Sequence, residues 1–136
     1  MITFKIPGNP VAQPRVKARQ AGKFIQIYTP EKKIKPYKDA IKFIASQAMT
    51  GRTPIEGPIE VCIHFYFDRS KSHSKKQREC HWHAQKPDID NLTKAVCDAL
   101  NEICFQDDSQ ICLLTVRKEW ANGDPAYTYI RIEAIK

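Results

Sequence analysis

Apolar residues alternate with polar ones in several stretches of the chain, and this spacing is typical of strands with one buried face. Near the N-terminus Ile2, Phe4 and Ile6 alternate, and Pro7 follows them. The clearest strand is 59–67, in which every second residue is apolar. The pattern predicts strands at 2–6, 24–28, 59–67, 111–120 and 127–135, with loops over 11–23 and 68–86.

Two stretches have helical spacing instead, with apolar residues three and four positions apart. The first follows Pro36 and ends before Gly51, and the second runs from about Asn91 to Ile103. These elements predict an α+β fold, a mixed sheet with two main helices packed on it, in the order β-β-α-β-loop-α-β-β. The length of 136 residues predicts one domain, spanning 1–136.

Positive charge is concentrated in the first two thirds of the chain. Residues 1–86 carry 17 Lys/Arg and 6 Asp/Glu, whereas residues 87–136 carry 5 Lys/Arg and 9 Asp/Glu. A basic surface that leads to an acidic site is what an enzyme acting on nucleic acid requires. The alternative is a solvated basic face with no such role.

The chain has no apolar run of 18 residues and no signal-peptide core at its N-terminus, so we expect a cytoplasmic protein with no membrane span. Its five cysteines are odd in number and form no CxxC pair. We therefore expect buried thiols in a reducing compartment rather than a disulfide framework.

The stretch 86–94 reads Lys-Pro-Asp-Ile-Asp-Asn-Leu-Thr-Lys, which sets Asp88 and Asp90 at the start of the second predicted helix. Lys94 follows one helical turn later, and Asp107 and Asp108 come just after the helix. Closely spaced carboxylates need a counter-charge, and Mg²⁺ or Mn²⁺ prefers oxygen ligands. Such a metal would support hydrolysis at phosphorus, with Lys94 neutralising charge or orienting water.

The same residues also have plainer interpretations. Asp88 or Asp90 can cap a helix, and Lys94 can be an i,i+4 partner of Asp90 and Asp98. A helix of this length spans roughly 20 Å. Asp108 therefore meets Asp88 and Asp90 only if the chain reverses after the helix or if a second subunit supplies it.

The acidic stretch and the Asp107-Asp108-Ser109-Gln110-Ile111 run closely resemble the RusA-like crossover junction endodeoxyribonucleases, the Holliday-junction resolvases. The central pattern of that family is roughly K-P-D-[ILV]-D-N-L-x-K-A-x-x-D-A-L-N followed by D-D-x-Q-[IV]. The resemblance implies Mg²⁺- or Mn²⁺-dependent cleavage of four-way DNA junctions by a symmetric homodimer. It also implies that Asp88, Asp90 and Asp108 bind metal, that Lys94 is catalytic, and that Asp107 is the less certain ligand.

Basic residues outside the acidic stretch are candidate contacts to DNA phosphates. They are Arg15, Lys17, Arg19, Lys71, Lys75, Lys76 and Arg78.

We expect a structure-selective endodeoxyribonuclease that resolves four-way junctions in recombination or repair. The alternatives are a nuclease for other branched or flapped DNA, and a DNA-binding module whose carboxylates only cap a helix.

Overall fold

The computed structural model describes residues 1–14, 17–28, 33–69 and 79–136. It confirms the α+β class, with a four-stranded mixed sheet in the order β1-β6-β4-β5 and a separate two-stranded hairpin, β2-β3. Antiparallel pairs join β1 to β6 and β6 to β4, whereas β5 lies parallel to β4 at the edge. The strands are β1 (Ile2–Pro7), β2 (Lys17–Ala21), β3 (Phe24–Tyr28), β4 (Ile59–Phe67), β5 (Ile111–Trp120) and β6 (Tyr127–Ala134).

Strand β2 is the element that the apolar pattern does not reveal, since 11–23 is predicted as a loop. Its sequence, KARQA, has no apolar alternation. The strand forms by antiparallel pairing with β3, and the pairing of Ala21 with Phe24 closes a two-residue turn. Gly22 has a φ of 65° in that turn, which a glycine adopts at little cost.

The first helix, α1 (Ile34–Ala48), begins before Pro36 rather than at it. Pro36 lies in the first turn, where backbone N–H groups have no intrahelical acceptor, so the missing N–H costs nothing there. The second helix, α2 (Ile89–Leu100), begins two residues before the predicted start at Asn91 and ends three residues before the predicted end at Ile103. The chain leaves α2 after Leu100 through a turn in which Glu102 has a φ of 67°.

The hydrophobic core lies between the two helices and one face of the four-stranded sheet. Ile41 of α1, Leu92 of α2, and Phe65 and Ile130 of the sheet are fully buried in it. The apolar and polar arcs predicted for α2 are confirmed, because Leu92 and Val96 are buried whereas Asp90 and Lys94 are exposed. This arrangement leaves the N-terminal turn of α2 open to solvent.

No helix in the described part of the chain is long and apolar enough to span a membrane. All five cysteines are free thiols. Cys62, Cys97 and Cys104 are buried, as expected. Cys80 and Cys112 are exposed, so the expectation of buried thiols is wrong at these two positions.

Candidate active site

The acidic pair lies at the N-terminus of α2. Asp88 is the N-cap residue in extended conformation, and Asp90 lies in the first turn. Both residues are exposed. The Asp90 carboxylate accepts a hydrogen bond of 2.9 Å from the backbone N–H of Asn91. The N-terminal end of a helix favours negative charge, so both carboxylates lie where the helix dipole attracts them.

Lys118 of β5 fixes the backbone that leads into the acidic pair. Its Nζ donates hydrogen bonds of 2.6 Å to the carbonyl oxygens of Gln85 and Pro87. Partial burial lowers the pKa of Lys118, and the nearby Asp88 charge opposes that shift. The sequence analysis did not single out this residue. Its position in β5 could have indicated a role near the helices. Lys118 shares the face of β5 that is turned toward the helices with Leu114, Val116 and Trp120.

Lys94 is exposed on the same helix face as Asp90, one turn later. The carboxylate of Asp98 lies 3.9 Å from the Nζ of Lys38, on α1. Within the described residues no ion pair joins Lys94 to Asp90 or Asp98. The helix-surface pairing considered for Lys94 is therefore not formed.

Asp107 has a structural role in the turn before β5. It caps a short 3₁₀ helix, Asp108–Gln110, where its carboxylate accepts from the Ser109 N–H at 3.0 Å. Hydrogen bonds from the Ser109 hydroxyl and backbone lower the pKa of Asp107. The side chain of Gln110 accepts a hydrogen bond from the Asp107 N–H at 3.1 Å. These two reciprocal interactions form a capping box. Asp108 is exposed at the start of this 3₁₀ helix.

The chain does reverse after α2, and this brings Asp108 beside the C-terminal half of the helix. Burial, followed by the Asp108 and Asp98 charges, raises the pKa of the Cys97 thiol to about 12. Cys97 lies seven residues beyond Asp90, about 10 Å along the helix axis. Across the described ranges no three His, Cys, Asp or Glu side chains converge to hold a metal ion. A single chain thus does not assemble Asp88, Asp90 and Asp108 into one site.

The acidic pair and Asp108 lie near opposite ends of β5. Asp108 begins the short 3₁₀ helix that precedes Ile111, the first residue of β5, whereas Lys118 at the other end contacts the backbone next to Asp88. Seven residues of extended chain separate Ile111 from Lys118, or about 23 Å. β5 lies at the edge of the four-stranded sheet, and the segment around Trp82 pairs with its end.

Most of the predicted phosphate contacts fall outside the described residues, namely Arg15, Lys71, Lys75, Lys76 and Arg78. Lys17 and Arg19 belong to strand β2. Their role in binding DNA stays a prediction.

An α+β fold that presents carboxylates and a lysine at an open helix end defines a candidate phosphodiester-hydrolysing protein. The sequence profile of endodeoxyribonuclease RusA matches residues 7–133. The chain belongs to the RusA endodeoxyribonuclease family, which confirms the resemblance seen in the acidic stretch. It is also 34% identical over 137 residues to an uncharacterized protein of Bacillus subtilis (strain 168), YqaN, with 96% of this chain and 95% of the relative covered.

Proposed function

We propose that this protein is a Mg²⁺- or Mn²⁺-dependent endodeoxyribonuclease that resolves four-way DNA junctions in recombination or repair. The observation that carries the proposal is the exposed acidic pair, Asp88 and Asp90, next to Lys94 in a member of the RusA family. Membership supports endodeoxyribonuclease activity, and the chemistry of the residues supports the metal and the individual roles.

The donor set fits a hard divalent cation. Mg²⁺ is usually held by one or two carboxylates together with water and substrate phosphate, and exposed carboxylates leave room for both. Asp88 and Asp90 would hold the metal, and Asp108 would add a third carboxylate. The bound cation would supply activation of water and stabilisation of charge at phosphorus. Lys94 would donate hydrogen bonds to the scissile phosphate or orient the attacking water.

A second copy of the chain would complete the site. In a dimer with a two-fold axis near Leu113 and Leu114, the first halves of two β5 strands would run antiparallel beside each other. The start of one β5 would then lie beside Val116 of the other. The partner's Asp108 would approach the Lys118 end, where Asp88 and Asp90 lie, and the reverse contact would form a second site.

The edge of β5 has the properties that such pairing requires. Leu113 and Leu114, in the first half of the strand, are 55% and 48% exposed. Among the described residues, the segment around Trp82 pairs with the end of β5, where the His83 N–H donates to the Lys118 carbonyl and the Trp120 N–H donates to the His81 carbonyl. An edge strand with exposed leucines is a template for pairing with another chain. Two active sites related by a two-fold axis suit two symmetric nicks.

Cleavage of a synthetic four-way junction tests the proposal. Wild-type protein should place paired nicks in the junction with Mg²⁺ and none with EDTA, and should leave a linear duplex and a flap intact. Asp90→Asn should bind the junction without cutting it, because a neutral amide is a poor ligand for Mg²⁺.

Each other outcome selects one of the alternatives. Cleavage of the flap rather than the junction would support the metal-dependent hydrolysis and would identify flapped DNA, not the four-way junction, as the substrate. Junction binding with no cleavage in Mg²⁺ or Mn²⁺ would favour the DNA-binding module. Wild-type rates in Asp90→Asn would show that the site is assigned to the wrong residues.

A further inference from the structure

The segment 81–83 extends the sheet next to the acidic pair and places one aromatic side chain inward and one outward. His83 is buried, stacked on Phe67 with ring centroids 3.9 Å apart. Trp82, its neighbour, is 56% exposed. Successive side chains of an extended segment point to opposite sides. The exposed Trp82 side chain therefore lies on the other side of the segment from the buried His83.

The backbone that carries Trp82 is held from several directions. The Trp120 N–H donates to the His81 carbonyl at 2.8 Å, and the His83 N–H donates to the Lys118 carbonyl at 3.2 Å. The guanidinium of Arg69 donates to the Cys80 carbonyl at 3.0 Å. Because this backbone is fixed by hydrogen bonds, the exposed indole of Trp82 would lose little conformational entropy when a ligand binds to its ring face.

Trp82 forms one wall of a groove that also contains both carboxylates of the acidic pair. The groove has a volume of about 830 Å³. Its apolar lining includes Trp82, Ile89 and Val116, and its polar lining includes Asp88, Asp90 and Lys118. Ile89, between the two carboxylates, is itself 41% exposed. Phosphates alone would not need these apolar walls, whereas a nucleotide with its base out of the helical stack has an apolar ring and a charged phosphate side by side.

We propose that Trp82 is a stacking platform for an unpaired base of the DNA branch point, next to the phosphate that Asp88 and Asp90 act on. This inference rests on the proposed function and adds a reason for substrate choice. A base in linear duplex is stacked between its neighbours, and freeing it costs a few kcal/mol. At a branch point the stack is already interrupted, so the platform would favour branched DNA over duplex.

The test compares Trp82→Ala and Trp82→Phe with wild type on a four-way junction and on a linear duplex of equal length. Stacking on an aromatic side chain is worth about 1–3 kcal/mol per base, which corresponds to about 5- to 140-fold in affinity. We expect Trp82→Ala to lose junction affinity and cleavage within that range, with a smaller change for the duplex. Trp82→Phe should retain most of both, because it keeps a ring.

Tryptophan fluorescence gives a second readout that does not depend on cleavage. The other tryptophan, Trp120, is only 9% exposed, so quenching by bound DNA should arise at Trp82. We expect junction DNA to quench wild-type emission and to leave the emission of Trp82→Phe nearly unchanged. Phe43→Ala is the matched control, since Phe43 is 64% exposed on α1, outside the groove lining.

Equal junction affinity in wild type and Trp82→Ala, in a protein that cuts junctions, would overturn the stacking proposal and leave the proposed function intact. An equal loss of junction and duplex binding would also overturn it, because it would show a general DNA surface. If the wild-type protein neither prefers nor cuts branched DNA, the proposed function fails and this inference fails with it.

Discussion

The Nζ of Lys118 lies 2.6 Å from the carbonyl oxygen of Pro87, the residue before the first aspartate of the acidic pair. A second hydrogen bond of the same length reaches the carbonyl of Gln85. A strand of the sheet thus fixes the position of the backbone from which Asp88 projects. We infer that Lys118 is a positioning residue, which acts on the reaction through the placement of Asp88.

Lys118→Met should reduce junction cleavage by about ten- to a hundredfold, because displacement of catalytic groups by about 1 Å has effects of that size. The loss should appear in kcat more than in the Kd for junction DNA. Lys42→Met removes one positive charge from the exposed side of α1 and is the matched control for overall charge. If both variants lose the same small amount of junction affinity and keep the wild-type kcat, Lys118 contributes only its positive charge to DNA binding.

Leu113→Lys should weaken dimer formation. Two copies of an antiparallel β5 bring the two Leu113 side chains near the two-fold axis, where like charges cost several kcal/mol, or about a hundredfold or more in Kd. Size-exclusion chromatography with light scattering over a concentration series would measure the shift to monomer. Phe43→Lys introduces the same charge at an equally exposed apolar position and should leave the dimer unchanged.

Cysteine alkylation gives an independent check on that surface. Cys112 lies on β5 and is exposed in the single chain, as is Cys80. At pH 8 wild-type protein should react at Cys80 and slowly at Cys112, whereas Leu113→Lys should react quickly at both. Cys97 and Cys104 should stay unreactive in both proteins, since burial raises the pKa of each to about 12 and leaves them protonated at pH 8. Fast alkylation of Cys112 in the wild-type dimer would place the interface elsewhere.

The buried hydrogen bond between Tyr37 and Thr128 should stabilise the packing of α1 on β6. The two hydroxyl oxygens are 2.6 Å apart, and Thr128 is fully buried. Tyr37→Phe leaves the Thr128 hydroxyl without this partner and should lower the free energy of unfolding by about 1–3 kcal/mol. The double variant Tyr37→Phe/Thr128→Val should lose less than the single one, as measured by urea denaturation. A larger loss in the double variant would mean that packing, rather than the hydrogen bond, sets the effect.

Much of the fold could be predicted from hydrophobic spacing because burial decides it. The bounds of β4 and β5 are as predicted, and α2 buries the arc of Leu92 and Val96. Strand β2 could not be predicted, since its pairing with β3 rather than burial of its own side chains forms it. The end of α2 was placed too late because Ile103 continues the apolar spacing beyond the last helical residue, Leu100.

The site was predicted less completely than the fold, for a geometric reason. The acidic pair and Lys94 are close in sequence, so helical periodicity alone places them together. The position of Asp108 depends on how the chain turns after α2, and the role of Lys118 depends on which backbone carbonyls lie opposite β5. Neither is encoded in local spacing. The capping role of Asp107 had a local signal, the Gln three residues later, which is half of a capping box.

Subunit complementation tests the central claim, a nuclease site shared between two chains, most directly. Asp90→Asn and Asp108→Asn should each be inactive on a four-way junction in Mg²⁺. After the two variants are mixed under conditions that exchange subunits, each mixed dimer should contain one intact site and one doubly defective site. The account predicts restored cleavage that nicks one strand per junction. Full activity of wild type with no activity from the exchanged mixture would contradict it and place Asp88, Asp90 and Asp108 of one chain in the same site.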